Sequence, residues 1–91
     1  MRVMVEFFGP AREAAGAARV AIDCDAPCTS HDLVARLAGE RGGRLAHLLL
    51  ADGRLAPSVL IAVNDSEAPG PIPLQNGDEI TVIPPVSGGT G

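Results

Sequence analysis

The residues with a chemical use lie at the end of the chain: Pro84-Pro85-Val86-Ser87-Gly88-Gly89-Thr90-Gly91. Each proline fixes its own φ and stiffens the exit from whatever precedes it. Gly88 and Gly89 then remove every side chain, so the backbone can approach a surface that a Cβ would hold off. Such a thread suits a chain end that enters a narrow channel and presents a main-chain carbonyl to chemistry. A carboxylate is a poor electrophile. It must first be activated, for example as an acyl-adenylate, before sulfur or an amine can add. An activating partner must therefore bring ATP to the chain end. Extended, residues 84–89 span at most roughly 20 Å, enough to enter a partner's pocket from a docked globular body. As written, Gly89 has no free carboxylate, because a peptide bond ties it to Thr90. A frayed terminus of small polar residues would present the same pattern.

A second group of candidates is Cys24, Cys28 and His31. Structural zinc takes four ligands, typically from C-x-x-C and a second pair. Here the spacing is C-x-x-x-C with one His, and a fourth ligand exists only if Asp25 is conscripted, so no metal site is expected. A disulfide is disfavoured in a reducing compartment, which leaves two incidental thiols near a loop. All seven cations are Arg and none is Lys. A chain without Lys offers no side-chain amine on which copies of itself could be conjugated. Codon preference in a sequence rich in Ala, Gly, Pro and Arg accounts for the same fact and is the reading favoured at this level.

Ninety-one residues with net charge −4 make one domain with one core. A chain this size buries roughly 60–65% of its unfolded surface. That leaves no volume for a cleft of convergent polar groups, so neither a self-contained enzyme nor a cofactor bound by the chain alone is expected. Nucleic-acid binding needs a basic patch, often with aromatic platforms. The sequence has no basic run, and its only aromatics are Phe7 and Phe8. The apolar run after Met1 is too short for a signal segment, and no membrane span is present, so a cytoplasmic location is expected.

The elements that must position the tail follow from the hydrophobic pattern. Residues 2–8 alternate as a strand, with Val3, Val5 and Phe7 on one face and Met4, Glu6 and Phe8 on the other. Gly9-Pro10 breaks it. Ala11 to Ala15 can form one helical turn, stopped by Gly16. Arg19–Asp23 is a second strand, placed antiparallel by the short connection. Thr29 caps a helix, with Asp32 three residues on. Leu33, Val34, Leu37 and Ala38 form its apolar face, and Gly42-Gly43 ends it. Leu45, Leu48 and Leu49 predict a further short helix closed by Asp52-Gly53. Ser58–Val63 reads as a strand buried on both faces or nearly so. Asn64 to Pro73 is a loop with room for one short edge strand. Asn76-Gly77 makes a turn, Glu79–Ile83 is the final strand, and Pro84 ends it. This order gives an α+β fold: a mixed sheet with one main helix on one face. The other face stays open, exposing Phe8 and one side of the last strand as an apolar patch of the kind that marks a partner site.

Four pieces of the chain carry a resemblance. They are Val3-Met4-Val5-Glu6-Phe7-Phe8 with Ala11-Arg12-Glu13, then Ala62-Val63-Asn64, then Asn76-Gly77-Asp78-Glu79, and finally Pro84-Pro85-Val86-Ser87-Gly88-Gly89. In this order and at this length they resemble the small ubiquitin-like sulfur carriers, the MoaD/ThiS family of β-grasp proteins, and look most like the small subunits of molybdopterin synthases. The resemblance implies a β-grasp domain over 1–83 and a diglycine tail over 84–91. It implies that an E1-like enzyme adenylates the terminal glycine and that a sulfur donor converts it to a thiocarboxylate. The tail then delivers sulfur inside the large synthase subunit to build the dithiolene of molybdopterin. Carried onto this chain, Gly89 would bear the sulfur and Gly88 would give clearance. Phe8 and Ile83 would lie in the docking face, Arg12 would meet an acidic partner surface, and Pro85, Val86 and Ser87 would line the threaded segment. Phe8 could equally pack in the core, and Arg12 could be a solvated charge. Thr90-Gly91 departs from the family, whose synthase subunits normally end at Gly-Gly. Some carriers of this type bear extra residues that a metalloprotease removes, here between Gly89 and Thr90, and these can serve thiamin, cysteine or natural-product synthesis. A ubiquitin-like modifier and a non-catalytic interaction module remain alternatives.

Overall fold

The computed structural model describes residues 1–25, 27–68 and 70–84. Strand β1 (Arg2–Phe7) leads through helix α1 (Pro10–Ala15) to β2 (Arg19–Asp23). Helices α2 (Ser30–Arg41) and α3 (Gly43–Leu49) follow. Two hairpins come next, β3 (Leu50–Ala51) with β4 (Arg54–Leu55) and β5 (Leu60–Val63) with β6 (Ser66–Glu67), before β7 (Glu79–Ile83). The main sheet runs β2-β1-β7-β5-β6. Its two central strands, β1 and β7, are parallel, with Val5 beside Ile80 and Phe7 beside Val82. The other neighbours in this sheet are antiparallel.

Alternation divides the sheet as the sequence requires. Val3, Val5 and Phe7 of β1, Ile61 of β5 and Ile80 and Val82 of β7 are buried on one face. There they share a core with Leu33, Val34, Leu37 and Ala38 of α2 and Leu45 and Leu49 of α3. The α2 stripe has the i, i+1, i+4, i+5 spacing that one helical face allows. The Thr29 half of the expected capping box is present: Asp32 N–H donates to Thr29 Oγ1 at 3.2 Å. Helix α1 starts on Pro10, where the missing N–H costs nothing. It stops at Gly16, whose φ of 77° is a left-handed conformation that a Cβ would oppose.

Two expectations are corrected. Asp52-Gly53 does not close a helix. Its residues have φ of 55° and 78°, the positive pair that a type I′ hairpin turn needs, and they join β3 to β4. Helix α3 has already ended at Leu49. The run Ser58–Val63 is not buried on both faces either: Leu60 is exposed and Ile61 buried, because the helices cover one side of the sheet only.

Asn64 fastens the middle of the chain to its last strand. At φ 51° it begins the β5–β6 turn. Its side-chain amide donates to Asp78 Oδ1 at 3.0 Å, and its carbonyl oxygen accepts from Glu79 N–H at 3.0 Å. Asp78 Oδ2 accepts from Gln75 N–H at 2.8 Å, and the Asp78 carbonyl accepts from Met4 N–H at 3.0 Å. Two of the segments noted in sequence, Ala62-Val63-Asn64 and Asn76-Gly77-Asp78-Glu79, therefore form one clamp at the start of β7. Asn64→Ala is expected to lower unfolding free energy by about 1–2 kcal/mol in urea titration, since these bonds are partly exposed. Asn64→Gly, which relieves the left-handed backbone but lacks the amide, should recover only part of that loss. Wild-type stability in Asn64→Ala would show that the clamp is idle.

Candidate functional site

The site is built from the register of three strands. β1 and β7 run in the same direction, so the chain leaves β7 at the end of the sheet where β1 also ends. Phe8 continues β1 by one residue, and its N–H donates to the Val82 carbonyl at 3.2 Å. That bond sets Phe8 beside Ile83. Ile83 in turn pairs with Leu60 of β5. Phe8, Ile83 and Leu60 thus form a row across β1, β7 and β5 on the face away from the helices. They are 44%, 37% and 47% exposed, whereas their neighbours Phe7, Val82 and Ile61 are buried. Three large apolar side chains in one row on a helix-free face are an unpartnered patch, too ordered to be scattered surface hydrophobics.

Behind the row the open face turns polar. Glu6 stands between Arg19 and Thr81, and Thr81 is beside Ala62, which pairs with Glu67. Arg19 Nη2 lies 4.0 Å from Glu79 Oε2 with both side chains exposed, so the pair adds little stability. Glu6, Glu67 and Glu79 against Arg19 leave this border net acidic, which favours a basic rim on whatever covers the row.

Of the residues singled out in sequence, the structure brings Phe8 and Ile83 together. Arg12 is exposed on α1, the helix that follows Phe8, with no side-chain hydrogen bond or ion pair among the described residues. Pro84, the last described residue, is buried. Pro85, Val86, Ser87, Gly88, Gly89 and Thr90 lie outside the described residues. Leu60 was missed. Its signal was present in the alternation of Val59, Leu60 and Ile61, which the continuous apolar run obscured.

Ser30 is in structural use. The buried Ser30 hydroxyl accepts from Ile72 N–H at 3.1 Å and lies 3.1 Å from His31 Nδ1. With the Ser30 N–H to Ile72 carbonyl bond, it ties the start of α2 to the loop before β7. The Ser30 side chain is fully buried, and its hydroxyl is shared between Ile72 and His31. Cys24 is buried, Cys28 is half-buried, and both are free thiols. Among the described residues no three of His, Cys, Asp and Glu gather as a metal-binding group, and no helix is long and apolar enough to cross a membrane. What this surface can do chemically is bind: it offers an apolar row at the point where residues 85–91 depart.

Comparison with known proteins bears on that row. A model of the ThiS family matches residues 5–89. SAMP1 from Haloferax volcanii is similar at 27% identity and a TM-score of 0.81, covering 97% of this chain and 99% of its own. The HVO 2177 protein of the same organism is similar at 29% identity with a TM-score of 0.78, over 97% of this chain and 86% of its own. The molybdopterin converting factor subunit 1 of Pyrococcus furiosus, described there as putative, shares the fold. Its identity is 24% and its TM-score 0.60, over 94% of this chain and 99% of its own.

If the row faces a partner rather than the core, its side chains are dispensable for folding. Phe8→Ser, Leu60→Ser and Ile83→Ser should each shift unfolding free energy by at most about 1 kcal/mol. Phe7→Ser, one position away but fully buried, should cost at least about 3 kcal/mol. Chemical denaturation of the four variants checks this. Equal losses at Phe7 and Phe8 would contradict the assignment of faces.

Proposed function

The chain belongs to the ThiS family of ubiquitin-like sulfur carriers, and on that premise we propose that it carries sulfur on Gly89 and delivers it as the small subunit of a molybdopterin synthase. The observation that carries the reading is the apolar row Phe8–Ile83–Leu60 at the end of the sheet from which the tail departs. A partner seated on the row would have Gly88 and Gly89 within the roughly 20 Å reach of residues 84–89. The family match ends on Gly89, which supports Gly89 as the reacting residue and Thr90-Gly91 as residues to be removed.

The chemistry then runs in four steps. A processing metalloprotease adds water across the Gly89–Thr90 bond and frees the Gly89 carboxylate. On an E1-like enzyme that carboxylate attacks the α-phosphate of ATP, forming an acyl-adenylate and releasing pyrophosphate. Sulfide-level sulfur from a donor adds to the carbonyl and expels AMP, leaving a thiocarboxylate. The tail enters the large synthase subunit, its sulfur passes to a pterin precursor, and water restores the carboxylate. Glycine at positions 88 and 89 lets the carbonyl approach both active sites without a Cβ in the way.

The similarity to SAMP1, a small archaeal modifier protein by name, supports a second reading. In it an amine of another protein attacks the same acyl-adenylate and Gly89 ends in an amide. Both readings begin with activation of Gly89, and ATP–pyrophosphate exchange by the E1-like enzyme tests that step. A chain ending at Gly89 should support exchange, and the 91-residue chain should not until it is cleaved. Leu60→Asp in the shorter chain should cut kcat/KM by about tenfold or more, the effect of a charge placed in the centre of an apolar contact. Equal exchange with both chains, or none with either, would sink the proposal.

A further inference from the structure

We propose that, once Gly89 is activated, no side chain of residues 1–91 offers an amine that can capture it, so conjugates carry single copies rather than chains of copies linked through side chains. The inference rests on Gly89 as the reacting residue. An activated glycine acylates amines: the amine nitrogen bonds to the Gly89 carbonyl, the bond to the leaving group breaks, and the leaving group departs with the amine proton. A carrier with accessible amines would acylate its neighbours and lose its load. Amides are the products that last, so amines are the groups that matter.

No side chain of residues 1–91 carries a primary amine, because all seven cations are Arg. The guanidinium stays protonated at any physiological pH and is no nucleophile. Codon preference can account for how this composition arose; the chemical consequence is the same. The α-amino group of Met1 donates to the Cys24 carbonyl at 2.9 Å in a partly buried position. It also sits at the wrong end of the sheet. β1 and β7 are parallel, Gly77 N–H donates to the Arg2 carbonyl beside Met1, and Phe8 stands beside Ile83 at the other end. From the level of Met1 to that of Phe8 is seven residues of strand, roughly 23 Å at the usual rise. Residues 84–89 turned straight back along the sheet reach only roughly 20 Å. The parallel pairing therefore keeps the Met1 amine out of reach of Gly89 of the same copy.

The thiols are withdrawn as well. Cys24 is buried. The Cys28 thiol donates to the Thr29 carbonyl at 3.7 Å, and burial, with the neighbouring Cys24, pushes it above its ordinary value. It stays a thiol rather than the nucleophilic thiolate.

The test uses chemical activation. All contacts described above lie within residues 1–84, so a chain ending at Gly89 keeps them. It is prepared as a C-terminal aryl thioester, in wild-type form and as Arg36→Lys, which puts one amine on the exposed face of α2. Each is incubated alone and with a lysine-containing peptide, then read by intact mass and by denaturing gel under reduction. Wild type alone should only hydrolyse, and with the peptide it should give the one-to-one amide. Arg36→Lys alone should give covalent dimers and longer ladders. Dimers or a cyclised monomer from wild type as fast as from Arg36→Lys would overturn the proposal. So would the absence of ladders from Arg36→Lys while the peptide is acylated, since lack of lysine would then not be the cause. Because the thioester is made chemically, either result stands apart from whether an E1-like enzyme activates Gly89.

Discussion

The parallel pairing of β1 with β7 is the constraint on which the rest of this molecule depends. It joins residues about as far apart in sequence as the described chain permits, such as Val5 and Ile80. Local pairing cannot form it, so loop-closure entropy must be met before it contributes. What secures it is a core contributed by both strands, with Val3, Val5, Phe7, Ile80 and Val82 all buried, together with the Asn64–Asp78 clamp at its start. Once it exists, three consequences follow. The last described strand lies in the middle of the sheet, so the chain leaves the end of the sheet from a central strand rather than from an edge strand. Phe8, Ile83 and Leu60 fall into one row. The α-amine of Met1 is held at the opposite end of the sheet.

Much of this was legible in the sequence where period and punctuation agreed. Strands Arg19–Asp23 and Glu79–Ile83 have the bounds that their alternation and turn residues set. Thr29 caps α2, and the Leu33, Val34, Leu37 and Ala38 stripe is buried as a helical face requires. The failures have local causes. β3 and β4 have two residues each, too few to display a period of two, and the Leu48–Leu50 run before them looks helical. Leu60 lies in an unbroken apolar run, so neither face of its strand could be distinguished there. Its exposure is set by its pairing with Ile83, information that sits 23 residues away. The exposure of Phe8 and Ile83 was readable because each ends an alternating strand whose inward partners are unambiguous.

The functional surface divides its labour accordingly. The described domain contributes position: a rigid sheet, an apolar row and an acidic border. On the proposed reading, the chemistry belongs to a carbonyl beyond it, at Gly89, and to partners that activate and accept it. Among the described residues, the Ser30 hydroxyl accepts from the Ile72 N–H, Cys24 is buried and Cys28 is half-buried. A chain of this size does not need a pocket of its own if its last residues enter someone else's.

The central claim is that Gly89 bears the sulfur, and the mass of the intact protein tests it most directly. The 91-residue chain is incubated with extract of its own cells, ATP and a sulfur source, then weighed. The account requires loss of Thr90-Gly91 followed by exchange of one oxygen for one sulfur on the shortened chain, localised to Gly89 by fragmentation. A mass that never changes, even for a chain already ending at Gly89, would contradict it.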